Sequence, residues 1–361
     1  MSNSNLLVYV SCGKDQEIRC YAMARDSGGL SPLGATRLPA PRETGQSDNL
    51  PMSALRTNGA PLAASRDGAT LYACLRALPN RVASYRIDAA TGSLELLRVT
   101  PIPASSPFIG LDRSGGYLIG AAYMGNLVWA GRLAADGSLP AQAFETAEGY
   151  VTPHSVLMHP DNRLLYVAAT GVEEVLTFHF DAATGRLTRT GNPGATAIAG
   201  ATPRHLALHP SHRLLFCMNE SSGIIDGFAI DPDSGLLSLA GSADPRPPER
   251  RADHGIGADL HLSPDGRFLY GSSRALGAIS VHAVDAQTGR LTFVESVEAG
   301  KIPRSFAIDP SGSFLIAAGQ GSDELIVFAR DPASGRLSRN SAMATGGGPI
   351  WVEIIDPAGQ A

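Results

Sequence analysis

Short apolar runs separated by polar turns recur along this chain, and the stretch Pro203 to Gly223, PRHLALHPSHRLLFCMNESSG, shows the unit most clearly. Leu206 to Leu208 and Leu214 to Met218 are apolar and strand-length, with a polar turn from His209 to Arg213 between them. No helical spacing is present in either run. The pattern predicts an antiparallel hairpin. At its open end stand residues that packing does not require, Arg204 before the first run and Asn219-Glu220 after the second.

The same unit repeats. Its turn returns with a second residue at positions 66, 113, 160, 210, 264, 310 and 357, in steps of 46 to 54 residues. The first six turns are each followed by an apolar run: LYACL, YLIGAA, LLYVAA, LLFCMN, FLYGSS and FLIAAG. A second alternating run follows, then another turn opening at Asp88, Asp136, Asp181, Asp231, Asp285 or Asp331, then a Leu-containing edge strand. Four strands joined by two hairpin turns are the grammar of a β-propeller blade. A seventh blade is split. Its PIWVEIID comes from the C-terminus, and the three missing strands, LLVYVSCG, EIRCYAMA and one opening at Leu30 after the turn at Asp26, come from the N-terminus. Pairing residues 1–30 with 349–356 would close the ring and remove its open edges. The expected fold is therefore all-β: a seven-bladed β-propeller, four antiparallel strands per blade, in one domain spanning 1–361. Two stretches stand outside the repeat as long loops, read equally well as rim or lid elements and as plain surface excursions: 31–58, with little strand signal, and 242–257, rich in Pro and charge.

Composition narrows the function classes. A hydrophobic content of 43% excludes disorder, and 40 Gly with 25 Pro suit many tight turns. With a net charge of -5 and no Lys/Arg block, neither nucleic acid nor an anionic membrane is expected as a partner. Cys12, Cys20, Cys74 and Cys217 show no CxxC pair and no zinc spacing, as expected of buried apolar residues in a reducing compartment. The N-terminus lacks a basic leader, and no apolar run reaches the length of a membrane span. These features predict a soluble, cytoplasmic protein. No histidine array, Walker loop, GxGxxG or GxSxG is present, so no metal and no cofactor are expected.

The repeat also serves as a ruler for chemistry. Six residues before the second turn position, near the start of the innermost strand, stand His154, Arg204 and Arg304. Ten residues after it, at the end of the second strand, stand Arg76, Tyr123, Thr170, Glu220, Arg274 and Gln320. An antiparallel hairpin brings these two positions together, and every blade of a propeller turns that end toward one mouth of the central channel. Any one arginine there reads equally well as a latch between blades. Several charged groups at equivalent positions point instead to an anion-binding site, because burying that much charge is costly without a ligand. His159, His209 and Asp309 occupy the turn itself, where capping is the expected role. Asp259 and His261, in GADLHLSPDG, are expected to form core hydrogen bonds or to support the site from behind.

TPRHLALHP, Asn219-Glu220, GADLHLSPDGRFLYGSSR, IPRSFAIDPSGSFLIAAGQ and GGGPIWVEIID together make the chain resemble the propeller-type 6-phosphogluconolactonases and their lactonase relatives, from about residue 5 to 356. The resemblance extends to a fungal 3-carboxy-cis,cis-muconate cycloisomerase, whose proposed His, two Arg and Glu match His154, Arg204, Glu220 and Arg274. It implies a metal-free lactonase acting on a small anionic sugar lactone such as 6-phospho-D-glucono-1,5-lactone, as a monomer or weak homo-oligomer. Lactone opening needs a base for water and charge stabilisation for the oxyanion. Glu220 and His154 are both candidates for the base, and Arg204 and Arg274 for the oxyanion. Arg76 and Arg304 would bind phosphate or carboxylate, with Tyr123 and Gln320 beside them. Two alternatives remain within the same site: a cycloisomerase closing an unsaturated dicarboxylate, and a lactonase for unphosphorylated aldono- or aldarolactones. A non-catalytic binding propeller is the third, and the convergence of polar groups at one mouth argues against it.

Overall fold

A computed structural model describes residues 5–40, 59–76, 78–150, 152–190, 194–195, 200–251 and 255–358. The solid apolar run becomes the second strand of each sheet, because neighbouring sheets cover both of its faces. Leu214–Asn219, for example, is buried throughout. The outermost strand faces solvent, and Leu237–Ala243 accordingly carries a mostly exposed sequence. Seven four-stranded antiparallel sheets result, and these are the predicted blades of the propeller. Blades 1 to 6 cover residues 62–101, 108–148, 153–189, 203–243, 257–298 and 303–344. Seven apolar clusters fill the wedges between neighbouring blades, so that every blade is held by its two neighbours.

Blade 7 joins the chain ends. Its innermost strand is Pro349–Ile355, bonded to Leu6–Cys12 with Leu7 opposite Ile355 and Val10 opposite Val352. Its outermost strand corrects the sequence reading. The strand expected to open at Leu30 runs on to Arg37, into the stretch 31–58 whose sequence carries little strand signal. It lacks an apolar alternation because its side chains are largely exposed and its ladder shifts register beside Cys20 and Tyr21. The other expected loop, 242–257, also proves shorter than expected: Leu237–Ala243 runs into it, and it contains one 3-10 turn, Pro248–Arg250. Residues 41–58 and 252–254 lie outside the described residues.

A tether between blades recurs without having been anticipated. The hydroxyls of Tyr9, Tyr72, Tyr166 and Tyr270 donate to the carbonyls of Gly92, Gly137, Gly235 and Gly335, at 2.9, 2.6, 3.1 and 2.8 Å. Each acceptor sits in the outer turn of the next blade with φ between 72° and 80°, the left-handed region where glycine costs least. Turn capping follows the expectation. His209 Nδ1 accepts from the Ser211 amide at 3.0 Å, His159 Nδ1 from the Asp161 amide at 3.3 Å, and Asp309 from the Ser311 and Phe314 amides at 2.9 and 2.6 Å. The four cysteines are free and buried. Among the described residues, no helix is long and apolar enough to cross a membrane.

Candidate active site

Three of the mouth residues owe their placement to the proline before them. Pro153, Pro203 and Pro303 each open an innermost strand, where a missing N–H disturbs no ladder. Directly after each, the pairing to the second strand shifts register, between Pro153 and Ser155, Pro203 and His205, and Pro303 and Ser305. His154, Arg204 and Arg304 are the residues skipped. A bulge of this kind takes its extra side chain out of the strict alternation and re-aims it. From the facing ends of the second strands come Arg76, Tyr123, Glu220, Arg274 and Gln320, all partly buried.

These groups meet across blades. Arg274 Nη2 donates to Glu220 Oε1 at 2.6 Å and to the Gly257 carbonyl at 3.1 Å. Arg204 Nε faces the same Glu220 oxygen at 3.7 Å, while its Nη1 donates to the Ala258 carbonyl. Arg76, Arg204 and Arg304 line one recess together with His205 and Trp351. His154 is 5% exposed and lies beside it, its ring 6.0 Å from Tyr123 and 5.4 Å from His205. Several buried nitrogens in this cluster have no hydrogen-bond partner: Nε of Arg76, Arg204 and Arg274, Nδ1 of His154 and Nε2 of His205.

Buried positive charge dominates the electrostatics of the cluster. Burial, then Arg304 and Arg274, push the Arg204 guanidinium down to about 9; burial, then Arg274 and Arg76, push Arg304 down to about 10. Both remain cationic at neutral pH; burial is the larger cause of each shift, and repulsion between neighbouring guanidiniums adds to it. Burial pushes Glu220 up, but Arg204 and Arg274 outweigh it and the carboxyl ends below its ordinary value. His154 is held well below the usual imidazole range by burial first and then by Arg204, so it is neutral at pH 7. Arg204, Arg274 and Arg304 thus face the ionised Glu220, and Asp259 adds a second negative charge near Arg204 and Arg304.

Of the residues singled out in sequence, His154, Arg204, Glu220, Arg274, Arg76 and Arg304 interact as one cluster, with Tyr123 at its edge. Gln320 stands at the same mouth, its backbone N–H donating to the Ile302 carbonyl at 3.0 Å, and among the described residues no hydrogen bond ties its side chain to the arginines. His205 was overlooked. It forms a layer across the channel with Phe108 and Trp351, ring centroids 5.5 to 6.0 Å apart. Beyond that layer a cavity of about 600 Å³, lined in part by Asp259, His261 and Glu353, opens toward the opposite face.

The family described as Lactonase, 7-bladed beta-propeller, matches residues 37–354. The chain belongs to this lactonase family. A 6-phosphogluconolactonase of Serratia proteamaculans is 32% identical over 97% of this lactonase and 98% of its own length. The 6-phosphogluconolactonase of Cronobacter sakazakii is 34% identical over 81% of this chain and 87% of its own. Among solved structures, the periplasmic gluconolactonase PpgL of Pseudomonas aeruginosa superposes with a TM-score of 0.84 at 26% identity, over 98% and 99% of the two chains. Membership bears out the resemblance to propeller lactonases and the expected enzyme class, a carboxylic ester hydrolase.

Proposed function

We propose that this lactonase hydrolyses an anionic sugar lactone, 6-phospho-D-glucono-1,5-lactone being the substrate that fits best. One observation carries the reading: Arg76, Arg204 and Arg304 line a single recess, and Arg204 also faces the Glu220 carboxylate. Guanidiniums pair phosphate and carboxylate in a bidentate manner, so Arg76 and Arg304 hold the substrate's anionic group. Arg204, with Arg274 behind Glu220, stabilises the oxyanion of the tetrahedral intermediate. Glu220 serves better as the anchor of those two arginines than as a base, because a carboxylate held ionised by two guanidiniums is a weak proton acceptor. Burial and then Arg204 hold both mouth imidazoles below their usual range, His205 at about 4, so each is neutral at pH 7 with a ring nitrogen free to accept a proton. The names of the two enterobacterial relatives support the phosphorylated substrate. Phosphorylated sugars do not cross membranes unaided, which puts the protein in the cytoplasm on this reading.

The test is a panel of phosphorylated and plain aldonolactones, with rates corrected for spontaneous opening. We expect kcat/KM for the phosphorylated lactone to exceed that for glucono-1,5-lactone at least about tenfold, the scale of one charge-assisted contact. Arg76→Ala and Arg304→Ala are expected to remove that preference by raising KM about tenfold while leaving kcat nearly unchanged. Equal rates on both lactones would move the reading to an unphosphorylated substrate. No turnover of any lactone would end it.

A further inference from the structure

Of the two histidines at the mouth, His205 is the one that lines the arginine recess, and it is the one with a carboxylate behind it. His205 Nδ1 lies 2.7 Å from Asp259 Oδ1. Asp259 is itself fixed from three further sides: Oδ1 accepts the Leu260 amide at 3.0 Å, Oδ2 accepts the Phe306 amide at 3.2 Å, and His261 Nε2 stands 3.3 Å from Oδ2. Burial pushes the Asp259 carboxyl up, but His261 and His205 outweigh it and hold it well below the ordinary range, so it is ionised at neutral pH. An ionised carboxylate accepts from Nδ1–H, which places the lone pair of the neutral ring on Nε2. That nitrogen has no partner, although His205 is only 4% exposed. A buried polar atom left unsatisfied is costly, and a water bound between Nε2 and the substrate would satisfy it. The ring cannot turn away, because Phe108, Trp351 and His154 pack against it.

We propose that His205 is the general base of the hydrolysis and that Asp259 is the residue positioning it, an assignment that rests on the lactonase reading above. As the water oxygen bonds to the lactone carbonyl carbon, one water proton passes to His205 Nε2 and the carbonyl π pair moves to the oxygen facing Arg204. When the carbonyl re-forms, the ring C–O bond breaks, its electron pair stays on the ring oxygen, and that oxygen takes the proton back from Nε2. One carboxylic acid and one hydroxyl result, and His205 ends neutral. His154 has no carboxylate bonded to it among the described residues, and it packs beside His205 without lining the recess.

The experiment measures kcat and KM for 6-phospho-D-glucono-1,5-lactone together with calorimetric Kd for its open product, 6-phosphogluconate. The variants are His205→Gln, Asp259→Asn and His154→Gln. His205→Gln is expected to lower kcat about 10²–10⁴-fold, the range for a lost general base. Kd for the product should stay within about threefold, because the arginines that bind it are intact. Asp259→Asn should lower kcat at least about tenfold with KM unmoved, a split that a merely structural carboxylate would not produce. His154→Gln should cost less than His205→Gln. A folded His205→Gln that binds product and keeps kcat within about threefold overturns the assignment. Should His205→Gln not fold, Asp259→Asn decides by the same thresholds. Wild-type protein that binds 6-phosphogluconate but opens no lactone would overturn the lactonase reading itself, and the base with it.

Discussion

At the mouth of the channel Glu220 holds two guanidiniums apart, 2.6 Å from Arg274 and 3.7 Å from Arg204. Its carboxyl is pushed up by burial and pulled further down by those two charges, so its folded value lies below the unfolded one. Such a group contributes stability above its unfolded pKa of about 4.3 and loses it as pH falls through the lower, folded value. Glu220→Gln is therefore expected to unfold more readily than wild type at pH 7, by about 1–3 kcal/mol, with the gap closing below about pH 4. Urea titrations at the two pH values check this, and a gap independent of pH would mean that the ion pair contributes nothing. At this scale much was legible in the sequence. A fixed count from each turn finds His154, Arg204, Arg304, Glu220 and Arg274, because register is conserved from blade to blade. His205 was hidden by the same logic. Strict alternation puts neighbours on opposite faces, and only the bulge after Pro203 lets Arg204 and His205 line one recess.

Hairpins were the most readable elements, since each announces itself by an apolar run and a turn with its own capping side chain. Asp309 holds one such turn through the Ser311 and Phe314 amides, and it is buried. Asp309→Ala leaves two amides short of an acceptor and should cost about 1–3 kcal/mol of unfolding free energy, read from the urea midpoint. The tyrosine tethers were not readable, because each joins residues 65 to 83 apart and depends on the outer turn of another blade. Tyr166→Phe removes one of them with little change of volume, and about 1 kcal/mol is the expected loss. An unchanged midpoint would reduce that tether to a coincidence of packing. The strand opening at Leu30 was legible from the turn before it, but its run to Arg37 was not, because an outermost strand touches solvent and nothing forces its sequence to alternate.

Closure of the whole ring depends on the sheet formed by Pro349–Ile355 and Leu6–Cys12. A chain ending at residue 348 loses an innermost strand and bares a fully buried one, so it is expected to be aggregated or unfolded by gel filtration and circular dichroism. A soluble truncated protein with wild-type melting would refute that dependence. The seam also has a direction. Leu7 lies opposite Ile355, so both chain ends leave the sheet at the same edge. A load applied between the termini therefore falls on the first pair of backbone bonds alone, then on the next, rather than on the whole ladder at once. Held by its two ends, the ring is a zip fastener with the slider at Leu7, and it opens tooth by tooth.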